Sequence, residues 1–95
     1  MKNYRVKWRE AALNDLADIW LRTTEREGVN RAVTEIESRL EESPTEWGKE
    51  IREGLRSVRW GSLRVLFYII QESKTVRIVA ATWGAASNGN GGAGF

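Results

Sequence analysis

Three runs of β-branched and aromatic residues between Leu55 and Trp83 constrain the fold more than any other part of the chain. The runs are separated by Gly61-Ser62 and by residues 71–74, both short enough to be hairpin loops. Such runs between turn residues are typical of an antiparallel meander. A two-residue loop that begins with glycine favours a type II′ turn, because its first central residue needs positive φ. The sequence therefore predicts three consecutive antiparallel strands.

The N-terminal half predicts one strand followed by two amphipathic helices. Residues 4–8 alternate apolar and basic side chains, as a half-buried strand does. Gly28 is expected to end the first helix in a left-handed cap, and Ser43-Pro44 to end the second. Apolar residues recur at three- and four-residue spacing in both helices: Ala12, Leu13, Leu16, Ile19 and Trp20 in the first, and Val29, Val33, Ile36 and Leu40 in the second.

These elements predict an α+β fold in the order β-α-α-β-β-β, with the helical hairpin packed on one face of an antiparallel sheet. The polar connection over residues 44–54 is interpreted as a loop with a short helical turn. Residues 1–84 are interpreted as a single domain, and residues 85–95, rich in Gly and Asn, as a disordered tail. Both faces of the middle strand are apolar, so two sets could face the helices: Leu63, Val65, Phe67 and Ile69, or Leu66, Tyr68 and Ile70.

Composition narrows the classes of function. The chain of 95 residues has no cysteine and no histidine, which rules out disulfides and removes the commonest general base and metal ligand. No apolar run approaches the roughly 20 residues that span a bilayer, and no secretory signal is visible. We therefore expect a cytoplasmic protein with no membrane association, no metal site and no cofactor.

The net charge of +2 is distributed unevenly along the chain. A local basic surface favours a partner that carries phosphate or acidic groups, although a solvated sheet face explains the same charges equally well. Between residues 49 and 77 the basic residues are Lys49, Arg52, Arg56, Arg59, Arg64, Lys74 and Arg77, against the acidic residues Glu50, Glu53 and Glu72.

The order of elements and several local patterns resemble the RelE/ParE family of toxins from bacterial type II toxin–antitoxin systems. Trp8 is followed by an Ala-Ala-Leu-Asn-Asp-Leu run at residues 11–16, and Pro44 with Gly48 is similar to the family's Pro–Gly turn. Residues 54–56 and 63–69 resemble its basic hairpin. The resemblance extends from residue 4 to about residue 83, and it implies a single RelE/ParE-like domain over residues 1–84.

This resemblance implies a toxin that inhibits growth and is neutralised by a cognate antitoxin protein. RelE-like members are mRNA interferases that cleave messenger RNA on the ribosome, whereas ParE-like members inhibit DNA gyrase and are not known as nucleases. Either target remains open for this chain, and so does a non-toxic binding module of the same fold. A homodimer formed through an exposed strand edge is also left open.

The resemblance implies that Arg64 and Arg59 are the catalytic residues, if the protein is an endoribonuclease, because they match basic positions with which nuclease members bind RNA. An arginine fork can hold two phosphate oxygens at once. Arg56 lies on the opposite face of the strand from Arg59, so only one of them can join Arg64, and the family match favours Arg59. The full set of residues predicted to bind RNA or phosphate besides this pair is Arg56, Arg77, Lys49 and Trp83.

The residues after the last predicted strand depart from the nuclease members. Where those members carry basic, His or Tyr residues, this chain reads Trp-Gly-Ala-Ala-Ser at residues 83–87. Each positioned acid or base contributes about 10²–10⁴-fold to a reaction of this kind. Whether the protein is an enzyme therefore stays an open question at the level of sequence.

Overall fold

A computed structural model describes residues 3–84 of the chain. Residues 1–2 and 85–95, including the predicted tail, lie outside the described residues. A short 3₁₀ turn, Gln71–Ser73, joins the last two strands. The described strands and helices are β1 (Arg5–Trp8), α1 (Glu10–Arg22), α2 (Arg26–Glu42), α3 (Pro44–Trp47), β2 (Lys49–Arg52), β3 (Leu55–Trp60), β4 (Leu63–Ile70) and β5 (Thr75–Trp83).

The strands form one five-stranded sheet in the order β1-β5-β4-β3-β2. The predicted α+β fold is confirmed, since the helices pack on one face of this sheet. The sheet is mixed, however, because β1 runs parallel to β5 while all other neighbours are antiparallel. Three helices and strands β2 to β4 lie between β1 and β5 along the chain, and this long connection allows the two strands to pair in parallel.

Strand β2 corrects the prediction that the connection before the meander is a loop. It forms a hairpin with β3 through Glu53-Gly54, where Gly54 has a φ of 79°. The Glu50 carboxylate accepts a hydrogen bond of 2.9 Å from the Gly54 N–H and steadies this turn. All four residues of β2 are exposed at the edge of the sheet, so no alternation of apolar side chains marks the strand in the sequence.

The face of the sheet that packs against the helices carries the first of the two alternative sets. Leu63, Val65 and Phe67 are fully buried, and they share one core with Ile36 and Leu40 of α2. The side chains that alternate with them point to the other side. We call the two sides the helix-covered face and the open face.

The end of α2 agrees with the prediction made from Pro44, whereas the end of α1 disagrees with the prediction made from Gly28. Helix α2 ends at Glu42, and Pro44 begins α3, a position that suits its missing N–H. Helix α1 already ends at Arg22, so Gly28 lies inside α2 and the prediction of a glycine cap is wrong. The Thr23 hydroxyl instead accepts a hydrogen bond of 3.0 Å from the Glu25 N–H, a local turn that competes with continuation of the helix.

The edge of β5 beyond its pairing with β1 is closed by α1. Strand β1 pairs with β5 only as far as Ile78. Further along, the Ala81 N–H donates a hydrogen bond of 3.1 Å to the Asp15 carboxylate of α1. A side chain on the helix thus satisfies a backbone group that has no strand partner, and it fixes α1 beside the sheet.

We expect Gly48→Ala to lower the free energy of unfolding by about 1–3 kcal/mol, the usual cost of overpacking a core. A Cβ at this position would lie 2.6 Å from the Phe67 ring and 3.0 Å from the Ser57 carbonyl oxygen. The measurement is urea unfolding followed by circular dichroism. Gly84→Ala is the matched control, since its Cβ would meet nothing within 4 Å, and equal losses in both variants would contradict the packing described here.

Candidate functional site

The open face of the sheet carries basic side chains and no acidic side chain from any of the five strands. Directly paired residues share a face, and the register pairs Arg59 with Arg64. The only acidic residue in the strands is Glu50, which pairs with Arg56 on the helix-covered side. The basic residues that the register places on the open face are Arg5, Lys7, Lys49, Arg52, Arg59, Arg64 and Arg77.

Arg59 and Arg64 face each other across neighbouring strands, and we call them the arginine pair. They lie opposite each other on β3 and β4, and Arg59 Nη1 donates a hydrogen bond of 3.2 Å to the Gly84 carbonyl oxygen. Burial and, secondly, the charge of Arg59 lower the pKa of the Arg64 guanidinium. Both causes disfavour its charged form, so an anion bound between the two side chains would offset their repulsion.

The structure brings together some of the predicted site residues and not others. Arg59 and Arg64 share the open face as predicted, with Arg77 further along it and Lys49 at its β2 edge. Arg56 lies on the other side, where its Nη2 donates to the Thr45 and Gly48 carbonyl oxygens at 3.1 and 2.8 Å.

Trp83 pairs with buried Leu63 and packs against the core. The structure therefore does not place Arg56 or Trp83 beside the arginine pair. The roles of all these residues remain predictions.

A groove between α1 and α2 is lined mostly by apolar side chains. Its volume is about 670 Å³. Leu13 and Leu21 on its rim are 49% and 70% exposed. The helical spacing predicted that Leu13 and Trp20 face the sheet, but in the structure both side chains line this groove. The apolar residues that line it are Leu13, Leu16, Ala17, Trp20, Leu21, Val29 and Val33.

A second feature that the sequence did not reveal lies at the edge of β3. The guanidinium of Arg39 from α2 is stacked between the indole rings of Trp47 and Trp60, at 4.3 and 4.4 Å from the ring centroids. The three side chains come from three separate elements, so no spacing along the chain announces them. They line a cleft of about 460 Å³ that we call the tryptophan cleft.

Residues 3–84 contain neither a cluster of metal ligands nor a membrane-spanning helix. No group of three or more His, Cys, Asp or Glu side chains in this range is placed to hold a metal ion. None of the helices in the same range has the length and apolar character needed to cross a membrane.

Inorganic phosphate is expected to raise the stability of the wild-type protein by binding at the arginine pair. At ten times its dissociation constant, a ligand of the folded state stabilises by about 1.4 kcal/mol. The measurement is thermal unfolding in phosphate against chloride at equal ionic strength. The double variant Arg59→Ala/Arg64→Ala is the control, because phosphate also strengthens burial generally. An equal phosphate effect in both proteins would contradict an anion site here.

Residues 6–86 match the sequence model described as "ParE toxin of type II toxin-antitoxin system, parDE". This chain therefore belongs to the ParE toxin family of type II toxin–antitoxin systems. A comparison with curated protein sequences finds no match.

Solved structures agree with this assignment. A chain of the toxin–antitoxin complex RelBE2 from Mycobacterium tuberculosis is 27% identical with a TM-score of 0.75, covering 90% of this chain and 95% of that one. Two others are similar in fold. For the chromosomal ParDE system of P. aeruginosa the identity is 16%, the TM-score 0.62 and the coverage 85% and 96%. For the RelE–RelB complex of Pyrococcus horikoshii these values are 20%, 0.60, 90% and 99%.

Proposed function

We propose that this protein inhibits growth by binding DNA gyrase through the open face, without catalysing a reaction. The observation that carries the proposal is the arginine pair beside the β3–β4 turn, on a sheet face whose strands supply cations and no carboxylate. Such a surface suits an acidic protein patch or the DNA that gyrase holds. Membership of the ParE family supports the same target, because the ParE-like branch acts on gyrase.

The chemistry of RNA cleavage fits this site less well. Attack by a 2′-hydroxyl is accelerated when a side chain removes its proton and another protonates the leaving group. Arginine stays protonated in proteins and serves poorly as a base, and the chain has no histidine. On the open face the nearest strand neighbours of the pair are Ser57, Leu66 and Thr82. These residues can bind and orient an anion, but none of them is a strong general base.

Supercoiling of relaxed plasmid by purified gyrase tests this proposal. A stoichiometric amount of the protein is expected to inhibit supercoiling, and prior addition of the antitoxin is expected to restore it. Full supercoiling in the presence of excess protein would contradict the proposal.

Ribosome-dependent cleavage of messenger RNA is the second candidate function. Two observations favour it: the convergence of Arg59 and Arg64, and the 27% identity with a chain of the RelBE2 complex. The ribosome could supply the proton-transfer groups that the face lacks. Primer extension on translated messenger RNA after induction distinguishes the candidates, because this function predicts new 5′ ends together with normal supercoiling, whereas the gyrase proposal predicts the reverse.

We also propose that a cognate antitoxin covers the apolar groove between α1 and α2 with an amphipathic helix. The related structures are complexes of toxins with antitoxins, and helix-in-groove binding needs an apolar groove of this kind. Leu13 and Leu21 on its rim are exposed in the free chain. Leaving them in contact with water is unfavourable, and an apolar helix face would bury them.

Leu13→Asp and Leu21→Asp are each expected to weaken antitoxin binding by about 30-fold, the effect of losing a 2 kcal/mol hot spot. The measurement is isothermal titration calorimetry with the product of the neighbouring gene. Arg59→Ala is the control, because it alters the opposite side of the molecule and should bind as the wild type does. If both leucine variants bind normally while the arginine variant fails, the antitoxin lies on the sheet instead.

A further inference from the structure

We infer that two copies of this chain associate through α1 when no antitoxin is bound, with the two α1 helices antiparallel across a two-fold axis at Ala17. The dimer follows from the surface of α1 alone, and only its dissociation by the antitoxin rests on the proposed function. The open face of the sheet takes no part in the contact, so the inference does not depend on the target of the toxin.

The exposed side of α1 carries an apolar stripe that is symmetric about its centre. Leu13, Ala17 and Leu21 follow one another at intervals of four residues, which places them on one side of the helix. All three are exposed, and Trp20 beside them is 39% exposed. An antiparallel copy centred on Ala17 would put each Leu13 against Leu21 of the other copy. The stripe therefore complements itself, as an interface across a two-fold axis requires.

Ala17 at the centre of the stripe allows the two helices to approach closely. Rows of side chains four residues apart interdigitate in the commonest class of helix packing, at a crossing angle of about −50° and an axial distance of about 8–10 Å. A small residue at the crossing point favours the short end of this range. Helix α1 has 13 residues and is about 20 Å long, so the contact belongs with the small, weak interfaces. We expect a dissociation constant in the micromolar range.

Opposite charges stand at the two ends of the stripe. Within residues 3–84 the lining of the groove contains no charged side chain. Glu10 begins α1, and Arg26 begins α2 just beyond the end of α1. The Arg26 guanidinium carbon lies 4.6 Å from the centroid of the Trp20 ring, and Arg26 Nε donates a hydrogen bond of 2.9 Å to the Trp20 carbonyl oxygen.

This distribution of charge favours an antiparallel second copy as the occupant. In that arrangement Glu10 lies at the end that carries Arg26 of the other copy, and the same attraction occurs at both ends of the interface. Parallel copies would instead bring like charges together, which is unfavourable. The two contacts of opposite charge thus select both the partner and its direction.

Sedimentation equilibrium of the full chain without antitoxin tests the inference, over about 1–300 μM protein to span micromolar affinities. The wild type is expected to change from monomer to dimer across this range. Glu10→Arg and Arg26→Glu each bring like charges together at both ends of the interface, so each is expected to weaken the dimer by about ten-fold or more. The double variant Glu10→Arg/Arg26→Glu exchanges the charges and should recover most of the lost affinity.

Glu53→Arg is the matched control for these variants. It makes the same change of charge at an exposed residue in the turn between β2 and β3, away from α1, and should dimerise as the wild type does. Circular dichroism monitors the folding of every variant. A monomer at all concentrations, equal dimerisation of Glu10→Arg and Glu53→Arg, or no recovery in the double variant would overturn the inference.

A disulfide cross-link provides an independent measurement, because the chain has no cysteine of its own. Ala17→Cys places a thiol at the two-fold axis, so mild oxidation should give a covalent dimer on non-reducing gels. Ala11→Cys, also at an exposed alanine of α1 but off the stripe, should give little. Equal cross-linking of the two variants would contradict the interface.

The antitoxin separates this inference from the proposal on which its last step rests. A saturating amount of antitoxin is expected to suppress the Ala17→Cys cross-link, because both partners need the same stripe. A cross-link that persists with antitoxin bound would overturn the competition and the antitoxin site in the groove, while the dimer stands. A chain that is monomeric at all concentrations yet binds the antitoxin through Leu13 and Leu21 would overturn the dimer and leave the antitoxin site intact.

Discussion

Phe67→Ala should lower the free energy of unfolding by about 3–5 kcal/mol, the usual cost of truncating a buried phenylalanine. Phe67 is completely buried in the middle of β4, in the core shared by the sheet and α2. A domain of this size has a total stability of about 5–15 kcal/mol. The variant should therefore show a much lower urea midpoint, and part of it should be unfolded in the absence of denaturant.

The neighbouring residue provides the control for this experiment. Tyr68 follows Phe67 on the same strand but points to the open face, where it is 41% exposed. Tyr68→Ala is expected to cost about 1 kcal/mol or less. Similar losses for the two variants would mean that both faces of β4 are covered, and the open face would then be unavailable to a target.

The second large effect is the loss of growth inhibition in the double variant Arg59→Ala/Arg64→Ala. Hydrogen bonds to charged groups contribute about 1.5–3 kcal/mol each, so removal of the pair should weaken target binding by at least about 100-fold. The measurement is the growth of cells after induction of equal amounts of each variant, with protein levels checked by immunoblotting.

Arg77→Ala is the control for the arginine pair, because it removes a cation from the same face, next to Tyr68 and Lys7. We expect it to remain toxic. Toxicity retained by the double variant would contradict the assignment, whereas equal loss in Arg77→Ala would show that target binding depends on total charge rather than on the pair.

Much of the fold could be predicted because its signals are local. Gly61 has the positive φ, 63°, that the two-residue loop requires, and Pro44 marks the end of α2. The loop length also sets the register, since two residues between the strands place Arg59 opposite Arg64. The central geometric feature of the candidate site was therefore accessible from the sequence.

Other features depend on long-range packing and could not be predicted. Both faces of β4 are apolar, so the sequence did not decide which side Phe67 occupies. Strand β2 is exposed along its whole length and has a single apolar residue, Ile51, so only its pairing with β3 marks it as a strand. The stack of Arg39 between Trp47 and Trp60 requires α2, α3 and β3 to meet, and no pattern within one element contains that information.

The two sides of the molecule suit different partners. The helical side presents an apolar groove, while the open face presents cations and no acidic strand residue. Because the arginine pair and the leucines on the rim of the groove lie on opposite sides, substitutions in one set should leave the other interaction intact. Toxicity and neutralisation should therefore be separable by mutation.

The most direct test of this account is a titration of gyrase supercoiling with the wild-type protein and with Arg59→Ala/Arg64→Ala, each shown to bind the antitoxin with the same affinity. We predict that the wild type stops supercoiling at a stoichiometric ratio and that the double variant leaves it unchanged at a large excess. Inhibition by the double variant at the same ratio as the wild type would contradict the proposal that the open face binds the target.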